Sequence, residues 1–212
     1  MSNNNSNINA EDVEFCKVFW GIGEHSSSMK NVTKACREYI NRIRINTDKV
    51  EVFQLDSSDA QKFSNQAWEL LGRYIANNTH LIKIDLCHRN LTDQMMTLLF
   101  SGLRRSDSLQ RLDLDGNNFG IDGVRSMIPF LEASRQLLCL NLSNNNNFNS
   151  DCFEVLVSAL NGKSITFLYL QYNNIEDISA LDRYNLPHLE YLSLNGNNIG
   201  RDGYNNIKST TT

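Results

Sequence analysis

Proline is nearly missing from this chain: Pro129 and Pro187 are its only two among 212 residues. Pro-rich linkers and polyproline segments are therefore excluded, and the spacing between ordered elements must be set by other residues. Charge of one sign is also lacking, since 20 Lys and Arg face 24 Asp and Glu, a net charge of −4. A protein that holds nucleic acid by its phosphates carries a basic excess, so this balance argues against nucleic acid as a partner. No apolar run approaches the roughly 18–20 residues that a membrane-spanning helix needs, so no membrane span is expected. The first ten residues, MSNNNSNINA, have neither a basic start nor an apolar stretch, and a secretory signal is not expected there. They read as a disordered tail over 1–10. The five cysteines, Cys16, Cys36, Cys87, Cys139 and Cys152, are odd in number and contain no CxxC pair. Reduced thiols in a cytosolic or nuclear setting fit that better than a disulfide framework. His25, His80, His88 and His188 are scattered without ligand spacing, so neither a metal nor another cofactor is implied. N-x-S/T triplets such as Asn31-Val-Thr, Asn90-Leu-Thr and Asn141-Leu-Ser are read as incidental in so Asn-rich a chain.

What is present is repetition. LIKIDLCHRNL begins at Leu81, LQRLDLDGNNF at Leu109, LLCLNLSNNNN at Leu137, ITFLYLQYNNI at Ile165 and LEYLSLNGNNI at Leu189. The starts are 28, 28, 28 and 24 residues apart, and each stretch follows L-x-x-L-x-L-x-x-N-x-L. Arg89 takes the Asn place in the first unit, with Asn90 just after it. The run Asn144–Asn147 carries one extra residue before Phe148. Apolar residues two apart, such as Leu112 and Leu114, point to one side of a short strand. After each strand come apolar residues at helical spacing: Met96, Leu99, Phe100 and Leu103; then Val124, Met127, Ile128 and Leu131; then Phe153, Leu156, Val157 and Leu160. Asp122 is the expected N-cap of the second of these helices. One strand–turn–helix unit cannot bury its apolar face alone, whereas stacked neighbours can.

The asparagines then acquire a role. A sharp turn after each strand leaves backbone groups facing inward, and a buried unpaired one costs about 1–3 kcal/mol. An amide side chain both donates and accepts. Asn90, Asn117, Asn145, Asn173 and Asn197 are accordingly predicted to form a structural ladder, one per coil.

These units resemble the leucine-rich repeats of the ribonuclease-inhibitor-like subclass, over about Leu81 to Gly203. The fourth unit, with Ile175, Ile178 and Leu181 and then Pro187, resembles a shorter 24-residue subclass. The resemblance implies an α/β fold: a curved solenoid with a parallel concave sheet and convex helices. It is preceded by a helical N-terminal region over 11–48 and an N-terminal cap or degenerate repeat over 49–80. The repeats occupy 81–212, and the last one stops inside its expected helix, so either the cap is minimal or the chain is a shortened product. Ser26 to Ser28 supply N-cap candidates for a helix whose apolar side carries Met29, Val32, Cys36, Tyr39 or Ile40, and Ile43. Its other side carries Lys30, Lys34, Arg37, Arg42 and Arg44, read as a solvated basic face.

Five parallel strands at about 4.8 Å make a concave sheet about 19 Å across. Residues flanking the paired leucines face outward from it. In chain order these are Lys83, Asp85 and Cys87; Arg111, Asp113 and Asp115; Cys139, Asn141 and Ser143; Phe167, Tyr169 and Gln171; and Tyr191, Ser193 and Asn195. The predicted partner-binding set is this row without its two cysteines and Ser143. It grades from charged to aromatic, and exposed aromatics are enriched in binding hot spots. Asp85 and Asp113, about 5 Å apart on neighbouring strands, have the spacing of a retaining glycosidase pair. Beside Lys83 and Arg111 they read more simply as a solvated charge network, and no enzyme activity is expected. The resemblance implies a non-catalytic protein-interaction scaffold with an unidentified protein partner. Its alternative is a GTPase-activating regulator like the Ran GTPase-activating proteins, for which Arg89 is the candidate residue, although the acidic tail of that family is absent.

Overall fold

The computed structural model describes residues 32–200 together with Glu14, Val18 and Phe19. The serines at 26–28, Met29, Lys30 and the helix expected beyond Gly200 lie outside the described residues. Element order is α1 (Lys34–Arg44), β1 (Val52–Gln54), a single helical turn α2 (Ser57–Ala60), α3 (Asn65–Asn77), β2 (Lys83–Asp85), α4 (Asp93–Gly102), β3 (Arg111–Asp113), α5 (Ile121–Ala133), β4 (Cys139–Asn141), α6 (Ser150–Ala159), β5 (Phe167–Tyr169), a 3₁₀ turn (Ser179–Asp182) and β6 (Tyr191–Ser193). The strands form one parallel sheet in sequence order. That is six strands, one more than the repeat pattern supplies, because the degenerate VFQ segment pairs with β2 in register, Phe53 opposite Ile84. Its apolar residues fall at the same two-residue spacing, which is all that a three-residue rung requires.

Registers are unshifted throughout, and Phe53, Ile84, Leu112, Leu140, Leu168 and Leu192 stand side by side across the sheet. A second row, Leu55, Leu86, Leu114, Leu142, Leu170 and Leu194, lies two residues on and is buried. At about 25 cal/mol per Å² of apolar surface removed from water, these rows supply the driving force that a single coil lacks. Behind them lie the inward faces of the helices, including Trp68 and Leu71 on α3, Leu99 and Phe100 on α4, Met127 and Phe130 on α5, and Phe153 and Leu156 on α6.

Most helix starts are capped locally, by the Ser64 hydroxyl on Ala67 N, the Thr92 hydroxyl on Met95 N and Asn149 Oδ1 on Cys152 N. Helix α1 is capped by Thr33, whose backbone N–H and hydroxyl both donate to buried Asp59. Helix α5 differs from expectation. Its N-cap is Gly120 and not Asp122, which lies in the first turn and is exposed. A glycine has no side chain to accept, so Asp93 Oδ1 from the preceding coil takes the N–H of Gly120 at 2.7 Å and of Gly123 at 2.8 Å. Helices α3 and α4 meet backbone to backbone at Gly72 and Gly102: a Cβ on Gly72 would overlap the Leu99 carbonyl, and one on Gly102 would overlap that of Glu69. In the fourth repeat Ile175 and Ile178 are buried, and the 3₁₀ turn stands where other coils have a full helix.

The outer edge of β1 is covered by α1. The Tyr39 hydroxyl donates to the Val52 carbonyl, and its ring packs 5.5 Å from Phe53. The basic side of α1 is partly tied down: Lys34 lies 3.5 Å from Glu38, Arg44 donates to Asn41 Oδ1, and Arg42 reaches Lys49 O at 3.4 Å.

Candidate binding face

The turn that follows each strand fixes what the face can display. Asn117 Nδ2 donates to Leu86 O and Leu114 O, both at 2.9 Å, and its Oδ1 accepts from Arg89 N and Leu91 N at 3.0 Å. Asn145 donates to Leu114 O and Leu142 O, Asn173 to Leu142 O and Leu170 O, and Asn197 to Leu170 O and Leu194 O. In the first coil the expectation for Asn90 fails. Asn90 is exposed with φ of 55°, and Arg89 fills the position instead. The Arg89 guanidinium donates to Leu55 O of the preceding coil and to Cys87 O of its own. Five donors on a planar group reach carbonyls that a shorter amide satisfies elsewhere.

One residue before each ladder position the backbone is left-handed: His88, Gly116, Asn144, Tyr172 and Gly196 have φ between 54° and 73°. This column turns its side chains outward along the rim. His88 Nε2 approaches Asp115 Oδ2 at 3.2 Å, Asn144 Nδ2 donates to Asp115 Oδ1 at 2.8 Å, and the Tyr172 ring lies against Gly196.

On the sheet, Lys83, Arg111, Cys139, Phe167 and Tyr191 form one row across the strands, and Asp85, Asp113, Asn141, Tyr169 and Ser193 form another. Asp115, Gln171 and Asn195 sit just beyond the strand ends. Several of these are less open than their outward direction implies: Asp113 is 7 % exposed, and Cys139 and Ser193 are also buried. At the N-terminal end the polar groups satisfy one another. Lys83 Nζ is 3.0 Å from Asp85, Arg111 lies 3.9 Å from Asp113, Asn141 Nδ2 donates to Asp113 at 2.9 Å, and Ser143 Oγ donates to Asn141 Oδ1 at 2.7 Å. Burial works to raise the Asp85 pKa, but hydrogen bonds from Cys87 and Lys83 outweigh it and hold that carboxyl below the usual carboxylate range.

Asp85, Cys87 and Asp113 come together, their side-chain ligand atoms within 4.8 Å of one another, although spacing along the chain gives no sign of it. The group does not suit a cation. Lys83 and Arg111 already neutralise its carboxylates, and burial together with the two acids pushes the Cys87 thiol pKa up, opposing the thiolate that a metal would need.

The C-terminal end is different in kind. Phe167 is 38 % exposed and Tyr191 46 %, and the Tyr169 and Tyr191 rings lie 5.3 Å apart. Tyr172, at 61 %, adds a fourth aromatic that sequence reasoning missed. The available signal was its alignment with Gly116 and Gly196, which marks a left-handed position that presents its side chain outward.

Unshifted parallel rungs, one turn ladder and helices on the far side define a stacked-coil solenoid, a protein-binding repeat fold. The profile of the family "Leucine Rich repeats (2 copies)" matches residues 163–209, and the fold is that of a leucine-rich repeat solenoid. A curated relative, HMG2-induced ER-remodeling protein 1 of Saccharomyces cerevisiae, is 28 % identical over 158 residues, which is 64 % of this chain and 13 % of that protein. The chain thus spans about an eighth of that relative's length. Among solved structures, the tropomodulin C-terminal domain of Caenorhabditis elegans is similar, with a TM-score of 0.57 at 13 % identity, covering 84 % of this chain and 97 % of that one. Leiomodin-1 Actin-Binding Site 2 also has a TM-score of 0.57, at 15 % identity, covering 66 % and 82 %. At these identities the likeness is one of fold.

Proposed function

We propose that the chain is a non-catalytic scaffold that binds a protein partner through the aromatic end of its concave face. The observation that carries this reading is the contrast between the two ends of one sheet. Charged groups at the N-terminal end already pair among themselves, so covering them would cost desolvation without new partners. Phe167, Tyr169, Tyr172 and Tyr191 offer rings that a partner can cover without stripping water from a charge. The partner set includes Gln171, Ser193 and Asn195 at this end, with Lys83, Asp85, Arg111, Asp113, Asp115 and Asn141 as the polar remainder. The 28-residue units with full helices favour the ribonuclease-inhibitor-like subclass, with one 24-residue unit between β5 and β6. We place the protein in the cytosol or nucleus on the free thiols of Cys36, Cys87, Cys139 and Cys152 among the described residues. No helix of the described residues is long and apolar enough to cross a membrane.

The GTPase-activating alternative needs a polar residue or an arginine on the loops at the strand ends. Arg89 is its candidate, and contacts from its guanidinium to two backbone carbonyls favour the scaffold reading.

The test is capture of partners from source lysate, with purified actin as a first defined candidate because one similar structure bears that name. The triple change Phe167→Ala, Tyr169→Ala, Tyr191→Ala is compared after its fold is verified. Loss of two hot-spot rings at about 2 kcal/mol each weakens binding on the order of a thousandfold. A partner held equally well by the triple variant refutes the aromatic end as the site.

A further inference from the structure

Strand β1 is the first of the sheet and has β2 on one side only. In a parallel ladder, alternate residues of a strand turn their backbone groups toward the same neighbour. Glu51 O accepts from Lys83 N, and Leu55 N donates to Asp85 O, so Glu51, Phe53 and Leu55 face β2. Val52 and Gln54 therefore face outward. Helix α1 covers that edge only in part. The Tyr39 hydroxyl donates to Val52 O, whereas among the described residues nothing donates to Gln54 O or accepts from Gln54 N.

Space is kept beside Gln54. A cleft of about 550 Å³ lies between α1 and the end of β1, lined by one side of α1 from its cap Thr33 to Arg42, by Gln54, and by Asp56 and Asp59. All of its lining residues are described ones, so its outline is set by this part of the chain alone. At 1.5 Å per helical residue the α1 wall is about 13 Å long, the span of about four extended residues.

The charges in the cleft are unevenly committed. Asp59 is 2 % exposed and accepts from Thr33 N at 2.8 Å and Thr33 Oγ1 at 2.6 Å, with Lys62 Nζ 3.6 Å away. Arg42 is the one cation among the lining residues, and it reaches Lys49 O at 3.4 Å and lies over the Tyr39 ring. Asp56 and Glu38 remain, both exposed. Asp56 caps α2 through Ser58 N at 2.8 Å. Glu38 lies 3.5 Å from Lys34, an exposed pair that holds neither side chain firmly.

We propose that the outward edge of β1 at Gln54 receives an extended, basic segment of a partner protein as an added strand. The main chain of that segment accepts from Gln54 N and donates to Gln54 O, which gives affinity whatever its side chains are. Its lysine or arginine side chains meet Asp56 and Glu38, which selects the sequence. A second copy of this chain fits less well. Edge-to-edge pairing about a two-fold axis would bring the carboxylates of Asp56 and Glu38 toward their own equivalents. The site lies four rungs from Phe167 and Tyr169, so it neither needs nor limits the aromatic end of the concave face.

The test is to pan a phage-displayed random octapeptide library on the whole chain. Enriched peptides that still bind the Phe167→Ala, Tyr169→Ala, Tyr191→Ala variant are expected to be rich in Lys and Arg. Gln54→Pro removes the outward N–H and leaves the ladder to β2 intact, because Gln54 makes no bond there. It is expected to weaken binding of these peptides by about tenfold or more in fluorescence anisotropy. Methylating single backbone nitrogens of the peptide probes the same pairing without altering the protein, and is expected to block binding at one position and not at the next. Asp56→Asn keeps the cap of α2, and together with Glu38→Gln it is expected to weaken binding by about fivefold and to flatten its salt dependence. No enrichment, an acidic consensus, peptides that all depend on the aromatic end, or peptides indifferent to both Gln54→Pro and N-methylation would overturn the proposal. So would a monomer–dimer equilibrium that Gln54→Pro abolishes, because the edge would then belong to a second copy.

Discussion

Replacing Gly72 with alanine sets two effects against each other. In an exposed helix the change stabilises by about 1 kcal/mol, because alanine loses less backbone freedom. Here α3 and α4 touch at this point. The added methyl would overlap the Leu99 carbonyl and stand 2.8 Å from Leu103 N, and both are main-chain atoms of a helix end that cannot rotate aside. Restoring ordinary contact means moving the helices apart by about 0.5–1 Å, which forfeits a quarter to a half of the dispersion well for the contacts that span the gap. Overpacking of this kind costs about 1–3 kcal/mol. Backbone obstruction puts the value near the top of that range, so the net loss is about 2 kcal/mol, or about 4–8 °C in Tm for a chain of this size. Thermal unfolding followed by circular dichroism measures it, with Gly200→Ala, where nothing lies within 4 Å, as the neutral control. Gly102→Ala meets Glu69 O and Arg73 N in the same crossing. One withdrawal relieves both obstructions, so the double variant loses less than the sum of the singles. A Gly72→Ala protein as stable as its parent, or a fully additive double, would refute the close crossing.

Two further outcomes follow from the ladder and the thiols. Asn117→Ala leaves buried Leu86 O and Leu91 N and half-buried Arg89 N without their side-chain partner, while Leu114 O keeps Asn145, and is expected to lower stability by about 2–4 kcal/mol in urea titration, against less than about 0.5 kcal/mol for exposed Asn146→Ala. Burial, followed by the charge of Asp59, pushes the Cys36 thiol up to about 12, and burial also raises the pKa of Cys139 and Cys152. A raised thiol pKa favours the folded state below the ordinary thiol range, and that advantage is lost as pH climbs above it. Site-resolved alkylation near pH 8 is therefore expected to be more than about tenfold slower at these cysteines in the folded chain than in urea; equal rates would show the thiols to be open.

Leucine spacing made the rungs legible in the sequence, because a period-two pattern that recurs every 28 residues has one economical packing. The same reasoning located the outward rows on the sheet. It misjudged features that depend on which coil supplies a group. Asp93 caps a helix one coil later, so no local motif around Gly120 announces it. Arg89 reaches Leu55 across 34 positions, a reach that residue type alone does not disclose. Tyr172 escaped notice because its exposure comes from a positive φ and not from strand alternation. Asp113 is covered by neighbours on both adjacent strands, and a pattern in one segment carries no record of them.

The ladder amides share a direction. Asn117 reaches back to Leu86, Asn145 to Leu114, Asn173 to Leu142 and Asn197 to Leu170, always to the coil made earlier. On a ribosome, each newly emerged strand thus finds its acceptors already in place, and the helical N-terminal segment with β1 acts as the template on which the first rung sets. Synthesis from the N-terminus would then close the stack like a zip from one end, and a pause in translation after a complete coil would leave that coil docked with one open edge.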